Sequence, residues 1–203
     1  MSYQPGDIVG VAGGLFVRAA CRIFTPRTTL YHYLVIGEEI PEEDDHMIFE
    51  AIASGVRVGR LSWYNNDQYV VFRVNHPESF TLGRTACRLA SQFGRWGYDF
   101  AVYLYILYDV CAIYTKMLFR ERRLRRIRPA ELPYHENHRF ICTELANAVW
   151  AQVGQPVIPK GVMPVPAGYV EALQAGRLKI VGFQGDLFEM VGVTLPQFYQ
   201  FKV

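Results

Sequence analysis

The spacing of apolar residues changes near residue 75, and this change constrains the fold more than any other feature. Short runs typical of strands, separated by turn residues, lie at 7–11, 31–36, 47–52, 55–61 and 68–74. Helical spacing follows at 81–93, 98–119, 140–153 and 167–175, with a last short strand at 179–183 and an earlier helical segment at 15–24. The sequence therefore predicts an α+β domain, a small antiparallel sheet with helices packed on one side.

Composition supports a single globular domain. The chain has 203 residues, of which 51% are hydrophobic and 20% are charged, which excludes a disordered or fibrous protein. We expect one domain over 1–203, with an insertion around 100–133.

The four cysteines form no CxxC pair, so a redox dithiol, a zinc knuckle or a disulfide scaffold is not expected. The N-terminus lacks the pattern of a signal peptide, which predicts a cytoplasmic location.

Charge is distributed in two opposing blocks. Residues 38–45 contain six acidic side chains around Pro41 and are expected to form a loop, whereas residues 120–128 contain six arginines against Glu121 alone. The net charge is only +2, and the arginines lack interleaved aromatic residues, so nucleic acid is not an expected partner.

Cys142 begins the apolar pattern of the helix predicted over 140–153. A thiol at a helix N-terminus faces backbone N–H groups and the positive end of the helix dipole, and both favour the thiolate. The same N–H groups can hold an oxyanion during acyl transfer. By position alone, a buried structural cysteine is the alternative.

His32 and Glu50 lie on consecutive predicted strands. His32 has Tyr31 and Tyr33 beside it, and both neighbours point to the opposite face of a strand. Glu50 interrupts an apolar run, where a buried carboxylate needs a partner. Pairing of the two strands would bring Glu50 beside His32, so that the carboxylate orients an imidazole acting as base for a thiol. Solvent-facing positions for both residues are the alternative.

Five motifs follow one another in a fixed order. They are GDIV at 6–9, the strand with His32, FEA at 49–51, YDF at 98–100 and FICTEL at 140–145. In this order they resemble the permuted NlpC/P60 papain-like superfamily, in particular its YiiX/YaeF-like branch. The resemblance covers roughly Pro5 to Val181. This sequence has Thr143 where the family often has serine, and it adds the insertion.

The resemblance implies a circularly permuted papain-like fold and a cysteine hydrolase that needs no metal or cofactor. It places the nucleophile on Cys142, the base on His32 and the third polar residue on Glu50. Histidine precedes cysteine, the reverse of papain, but a triad depends on spatial arrangement rather than chain order. Relatives cleave peptide amides of cell walls or move acyl groups on lipids, so a peptide or a lipid-like acyl substrate is expected. The rival function is a binding or membrane-associated interaction module on the same fold.

Several other residues have less specific interpretations. Tyr98 matches the family's Tyr-Asp motif and is either a cleft residue near the oxyanion or part of the core. Glu144 is expected to be structural, near the helix dipole. His135 and His138 lack a third ligand at a recognisable spacing, so no metal site is predicted. The remaining cysteines lie in apolar helical contexts and are expected in the core: Cys21, Cys87 and Cys111.

The insertion contains an apolar stretch followed by the arginines. Its longest charge-free run, 100–108, is far shorter than the roughly 20 residues that span a bilayer. Two interpretations stay open. The segment is a core helix with a solvated basic loop, or it makes peripheral contact with an anionic membrane through 100–128.

Overall fold

The computed structural model describes residues 3–13, 28–94, 97–98, 101–122, 127, 131–132 and 139–192. The predicted helix at 15–24, with Cys21, lies outside the described residues, and so do His135 and His138. Within the described part, the chain has the α+β organisation that its apolar spacing predicts.

An antiparallel sheet of six strands forms the centre of the molecule. Its strands are β1 (Ile8–Ala12), β2 (Leu30–Ile40), β3 (Asp45–Ile52), β4 (Gly55–Arg60), β5 (Tyr69–Val74) and β8 (Leu178–Gln184), in the order β4-β3-β2-β1-β5-β8. Two short parallel strands, β6 (Gly97–Tyr98) and β7 (Arg139–Phe140), pair separately. Since β7 ends directly before Ile141 and Cys142, this pair joins the Tyr-Asp motif to the start of the cysteine helix.

Five α-helices are described. They are α1 (Ser79–Ala90), α2 (Ala101–Lys116, continued by a π-helical turn over Met117–Glu121), α3 (Cys142–Ala151), α4 (Pro166–Gln174) and α5 (Leu187–Val191). In these residues, no helix is both long enough and apolar enough to cross a membrane.

Apolar side chains cover both faces of the sheet. On one face, strand residues such as Tyr33 and Phe72 form the main core with Leu145 of α3 and with residues of α1, α4 and α5. On the other face, Leu34 and Ile48 belong to a second cluster with residues of β1 and β5. Because both faces are covered, β1 is buried at all five positions instead of alternating.

Three predictions from sequence were wrong in detail. The acidic block is not a loop throughout, because β2 continues to Ile40 and β3 begins at Asp45, with only a short turn between them. Helix α1 begins at Ser79, two residues before the predicted start at 81, and Glu78 occupies the N-cap. Cys87 is buried as expected, whereas Cys111 is exposed, because it lies on the outer face of α2.

Candidate active site

A β-bulge sets the direction of His32. Val11 of β1 pairs with His32 of β2, but the next residue, Ala12, pairs with Leu30, so Tyr31 is an extra residue in the ladder. A bulge bends its strand and redirects the side chains beside it, and bulges are frequent near active sites. Because of the extra residue, Leu30 and Tyr33 are both buried although they are three positions apart in the strand. His32, which lies between them, is partly exposed.

The structure brings His32 and Glu50 together. Leu34 of β2 is directly opposite Glu50 of β3, which makes His32 the diagonal neighbour of Glu50 on the same face. The Nε2 atom of His32 lies 2.8 Å from Oε2 of Glu50. Glu50 has no exposed side-chain surface, whereas 12% of the His32 side chain is exposed. The contact thus joins a buried carboxylate to an imidazole that solvent reaches.

Two further residues hold the Glu50 carboxylate. The Tyr64 hydroxyl donates to Oε2 at 2.5 Å, and Nε of Arg57 donates to Oε1 at 2.8 Å. Burial raises the pKa of Glu50, but hydrogen bonds from His32, Tyr64 and Arg57 outweigh it and hold the pKa below its ordinary value. Burial, followed by the hydrogen bond to Glu50, raises the pKa of Tyr64, so its hydroxyl stays protonated and remains a donor. Glu50 is therefore a fixed anion beside His32.

Cys142 is the first residue of α3 and is 4% exposed. Its Sγ donates to the Tyr31 carbonyl oxygen at 3.6 Å, which places the sulfur beside the bulge. The Glu144 carboxylate accepts from the Ile141 N–H at 2.9 Å. Glu144 therefore caps the helix start, in agreement with the structural role expected for it.

Two buried hydrogen bonds fix the position of α3. The Tyr169 hydroxyl of α4 donates to the Thr143 carbonyl at 2.7 Å, and the Trp150 indole N–H donates to the Gly6 carbonyl at 2.8 Å. Gly6 belongs to the Gly-Asp motif, and the adjacent Asp7 is fully buried against the Arg73 guanidinium at 2.8 Å. The motif is therefore a structural anchor for β1 and α3.

The pKa of His32 reflects contacts with both Cys142 and Glu50. Burial of the ring alone lowers this pKa, but hydrogen bonding and charge interactions with Cys142 and Glu50 raise it to about 9. Since Nε2 is bonded to Glu50, Nδ1 is the ring nitrogen left to interact with the Cys142 sulfur. Cys142 and Glu50 therefore both influence the proton affinity of His32, and the 2.8 Å contact with Glu50 holds the ring by its Nε2 atom.

Tyr98 is described only through its backbone. It pairs with Phe140, two residues before Cys142, so its main chain lies close to the start of α3. The role predicted for its side chain stays a prediction.

Sequence reasoning missed Arg57 and Tyr64. Arg57 pairs directly with Glu50 across the β3–β4 hairpin. If residues 53–54 form a two-residue hairpin turn, residue 52 pairs with residue 55 and Glu50 pairs with Arg57. The contact between Glu50 and Arg57 was therefore predictable from the spacing of the two strands. Tyr64 lies in a 3₁₀ turn over Leu61–Tyr64. No periodic pattern in the sequence predicts that a side chain of such a turn contacts β3.

Comparisons with known proteins give a fold relationship. No protein-family profile matches the sequence, and no curated protein matches it. Among solved structures, the metalloprotein YiiX from Escherichia coli O157:H7 is similar, with a TM-score of 0.57 and 16% sequence identity. The alignment covers 92% of this chain and 100% of that chain. In the part of this chain that the structure describes, no three His, Cys, Asp or Glu side chains form a group that could hold a metal. At this level of identity the chain shares the α+β fold of YiiX, and the similarity extends over nearly its whole length.

Proposed function

We propose that this protein is a cysteine hydrolase of papain-like type, a permuted relative of the NlpC/P60 enzymes. The observation that carries the proposal is the 2.8 Å contact between His32 and buried Glu50, on a histidine that also interacts with Cys142. A nucleophile, a base and a group that orients the base are the three parts that this chemistry requires. The shared fold with YiiX is consistent with the proposal.

In the proposed reaction, the Cys142 thiolate attacks the carbonyl carbon of an amide or an ester. The imidazolium of His32 then donates its proton to the leaving amine or alcohol, and a thioester with Cys142 remains. A water molecule, deprotonated by His32, attacks the thioester carbonyl and releases the acid and the thiol. Glu50 keeps the ring oriented and stabilises its positive charge throughout.

The oxyanion formed in each step needs hydrogen-bond donors. We propose that backbone N–H groups of the first turn of α3, beginning at Cys142, hold this oxyanion. We propose that Tyr98 contributes to the same site. The substrate is a peptide amide or a lipid-like acyl group.

Selective alkylation tests this function. At about pH 6.5, iodoacetamide is expected to modify Cys142 at least about tenfold faster than Cys111 or Cys87, because the proposed mechanism gives Cys142 the His32 imidazolium as a partner. Cys111 is exposed and Cys87 is buried, so the two serve as controls for access and for burial. A H32A variant is expected to abolish the difference.

An unreactive Cys142 in the folded protein would contradict the enzyme and favour a binding module on the same fold. Mass spectrometry of alkylated tryptic peptides distinguishes the cysteines. Assays with a cell-wall-type peptide and with a lipid ester, each with C142S as the inactive control, then separate the two substrate classes.

A further inference from the structure

The outer face of α2 and of the turn after it exposes large apolar side chains. Tyr108 is 72% exposed and Phe119 is 82% exposed, and Tyr105 and Leu118 are exposed by half or more. Tyr105, Tyr108 and Cys111 follow helical spacing, so they lie along one side of the helix. Contiguous exposed apolar side chains rimmed by polar residues mark interaction sites on protein surfaces.

Basic side chains border this apolar face. Lys116, Arg120 and Arg122 are exposed, and a shallow groove on the face is lined by Tyr108 and Phe119 together with Lys116 and Arg120. Four more arginines follow in the sequence before residue 129, whereas Glu121 is the only acidic residue between 116 and 128. Apolar and aromatic groups beside a dense positive charge are complementary to the interface of an anionic bilayer.

The inner face of α2 packs beside the start of α3. Val110, with Ile113 and Tyr114 against it, forms a small separate core with Ile141 and Met163. Ile141 is the residue directly before Cys142. A surface bound to the outer face of α2 would therefore lie one helix away from the candidate nucleophile.

We propose that the outer face of α2, with the turn at 117–121 and the basic side chains of Lys116, Arg120 and Arg122, docks the protein on an anionic lipid bilayer. Docking places the Cys142 site one helix away from the membrane interface, where the scissile bond of a lipid ester lies. The assignment of a lipid substrate rests on the proposed function, whereas docking itself does not. A second copy of the chain is a poorer occupant, because it would bring two arginine clusters together. Nucleic acid offers phosphates but no apolar phase for Tyr108 and Phe119.

Vesicle flotation with the full chain tests the docking surface. The protein is expected to float with vesicles of phosphatidylcholine containing phosphatidylserine and not with phosphatidylcholine alone. The doubly substituted variant Y108S/F119S and the variant K116Q/R120Q/R122Q are each expected to reduce the bound fraction at least about tenfold. Binding of the wild type should also weaken at high salt.

Matched controls keep the test specific. F80S removes an exposed aromatic side chain from α1, and R88Q/K160Q removes basic residues elsewhere on the surface; both are expected to float like the wild type. Circular dichroism melting curves verify that each variant is folded.

Several results would overturn the proposal. These are equal binding to neutral and anionic vesicles, unchanged flotation of both face variants, a dimer in light scattering that Y108S/F119S disrupts, or binding to duplex RNA in place of vesicles. Failure of the enzyme is distinguishable, because C142S is expected to float like the wild type. If the protein floats with anionic vesicles but iodoacetamide shows no preference for Cys142, membrane docking is supported and the catalytic proposal is refuted.

Discussion

The Glu50 carboxylate is buried, and every donor around it is identifiable. Its two oxygens accept from His32, Tyr64 and Arg57, so the carboxylate remains charged although no part of its side chain is exposed. The charge raises the proton affinity of His32, and the hydrogen bond to Nε2 fixes the ring orientation. At the residue scale, the candidate site depends on this one anion.

The E50Q variant tests that dependence. An amide has no charge, so the pKa of His32 is expected to fall from about 9 by about one unit or more. Turnover should decrease on the order of tenfold or more, because an imidazolium is less stable without its counter-ion. Titration of the His32 ring protons by NMR measures the pKa. E38Q, which removes an acid from an exposed ion pair with Arg84, is the control, and an equal pKa in E50Q and wild type would contradict the role of Glu50.

The raised pKa of His32 also predicts how stability depends on pH. The folded protein binds this proton more tightly than the unfolded chain does. The resulting stabilisation is complete below about pH 6.5 and is lost as the pH rises through about 9. It amounts to on the order of 3 kcal/mol. Glu50 has a lowered pKa, so its stabilisation is present above the ordinary pKa of a glutamate and is lost in acid.

Urea unfolding at a series of pH values checks this expectation. The free energy of unfolding of the wild type should decrease between about pH 6.5 and 9, and H32Q should flatten the decrease. H76Q, which replaces a histidine outside the site, should retain the wild-type profile. If H32Q loses the same free energy of unfolding between about pH 6.5 and 9 as the wild type does, a group other than His32 causes the pH dependence.

At the scale of elements, the β-rich first half and the helix that begins at Cys142 were predictable from apolar spacing. The two strands β3 and β4 were predicted from their apolar runs at 47–52 and 55–61, and α3 was predicted within 140–153. The length of β2 was not predicted, because Glu38 pairs with Arg84 of α1 and this tertiary contact keeps an acidic segment in the strand. The bulge at Tyr31 also depends on pairing between distant segments, which local patterns do not contain.

Close contact between α1 and the N-terminal turn gives a prediction at this scale. A Cβ atom at Gly83 would lie 2.0 Å from the Pro5 carbonyl oxygen, so the two backbones touch. G83A should gain about 1 kcal/mol of helix propensity and lose more to the clash, for a net destabilisation of about 2–4 kcal/mol. Denaturant unfolding measures the difference.

Gly94 provides the matched control for that substitution. A Cβ atom there meets its nearest neighbour at 3.5 Å, an ordinary van der Waals contact, so G94A should leave stability nearly unchanged. Equal stability of G83A and the wild type would show that α1 can move away from Pro5.

At the scale of the whole molecule, the core consists of separate parts. The large cluster between sheet and helices contains Cys142 and Leu145, whereas Ile141 belongs to the small core under α2 with Val110 and Met163. The start of α3 therefore lies on the boundary between two packing units. Units with fewer buried contacts open at lower free energy, so we expect α2 and residues 139–141 to open before the sheet does.

Hydrogen exchange followed by mass spectrometry tests this division. V110A removes buried volume from the small core and should cost about 1–2 kcal/mol. Because the sheet does not depend on that core, exchange should accelerate in α2 and in the peptide containing Ile141, with β1 and β5 unchanged. V70A, a substitution in the main core, should instead accelerate exchange throughout the sheet. Uniform acceleration in V110A would mean that α2 and the sheet unfold as one unit, and the insertion would then be part of the main cooperative fold.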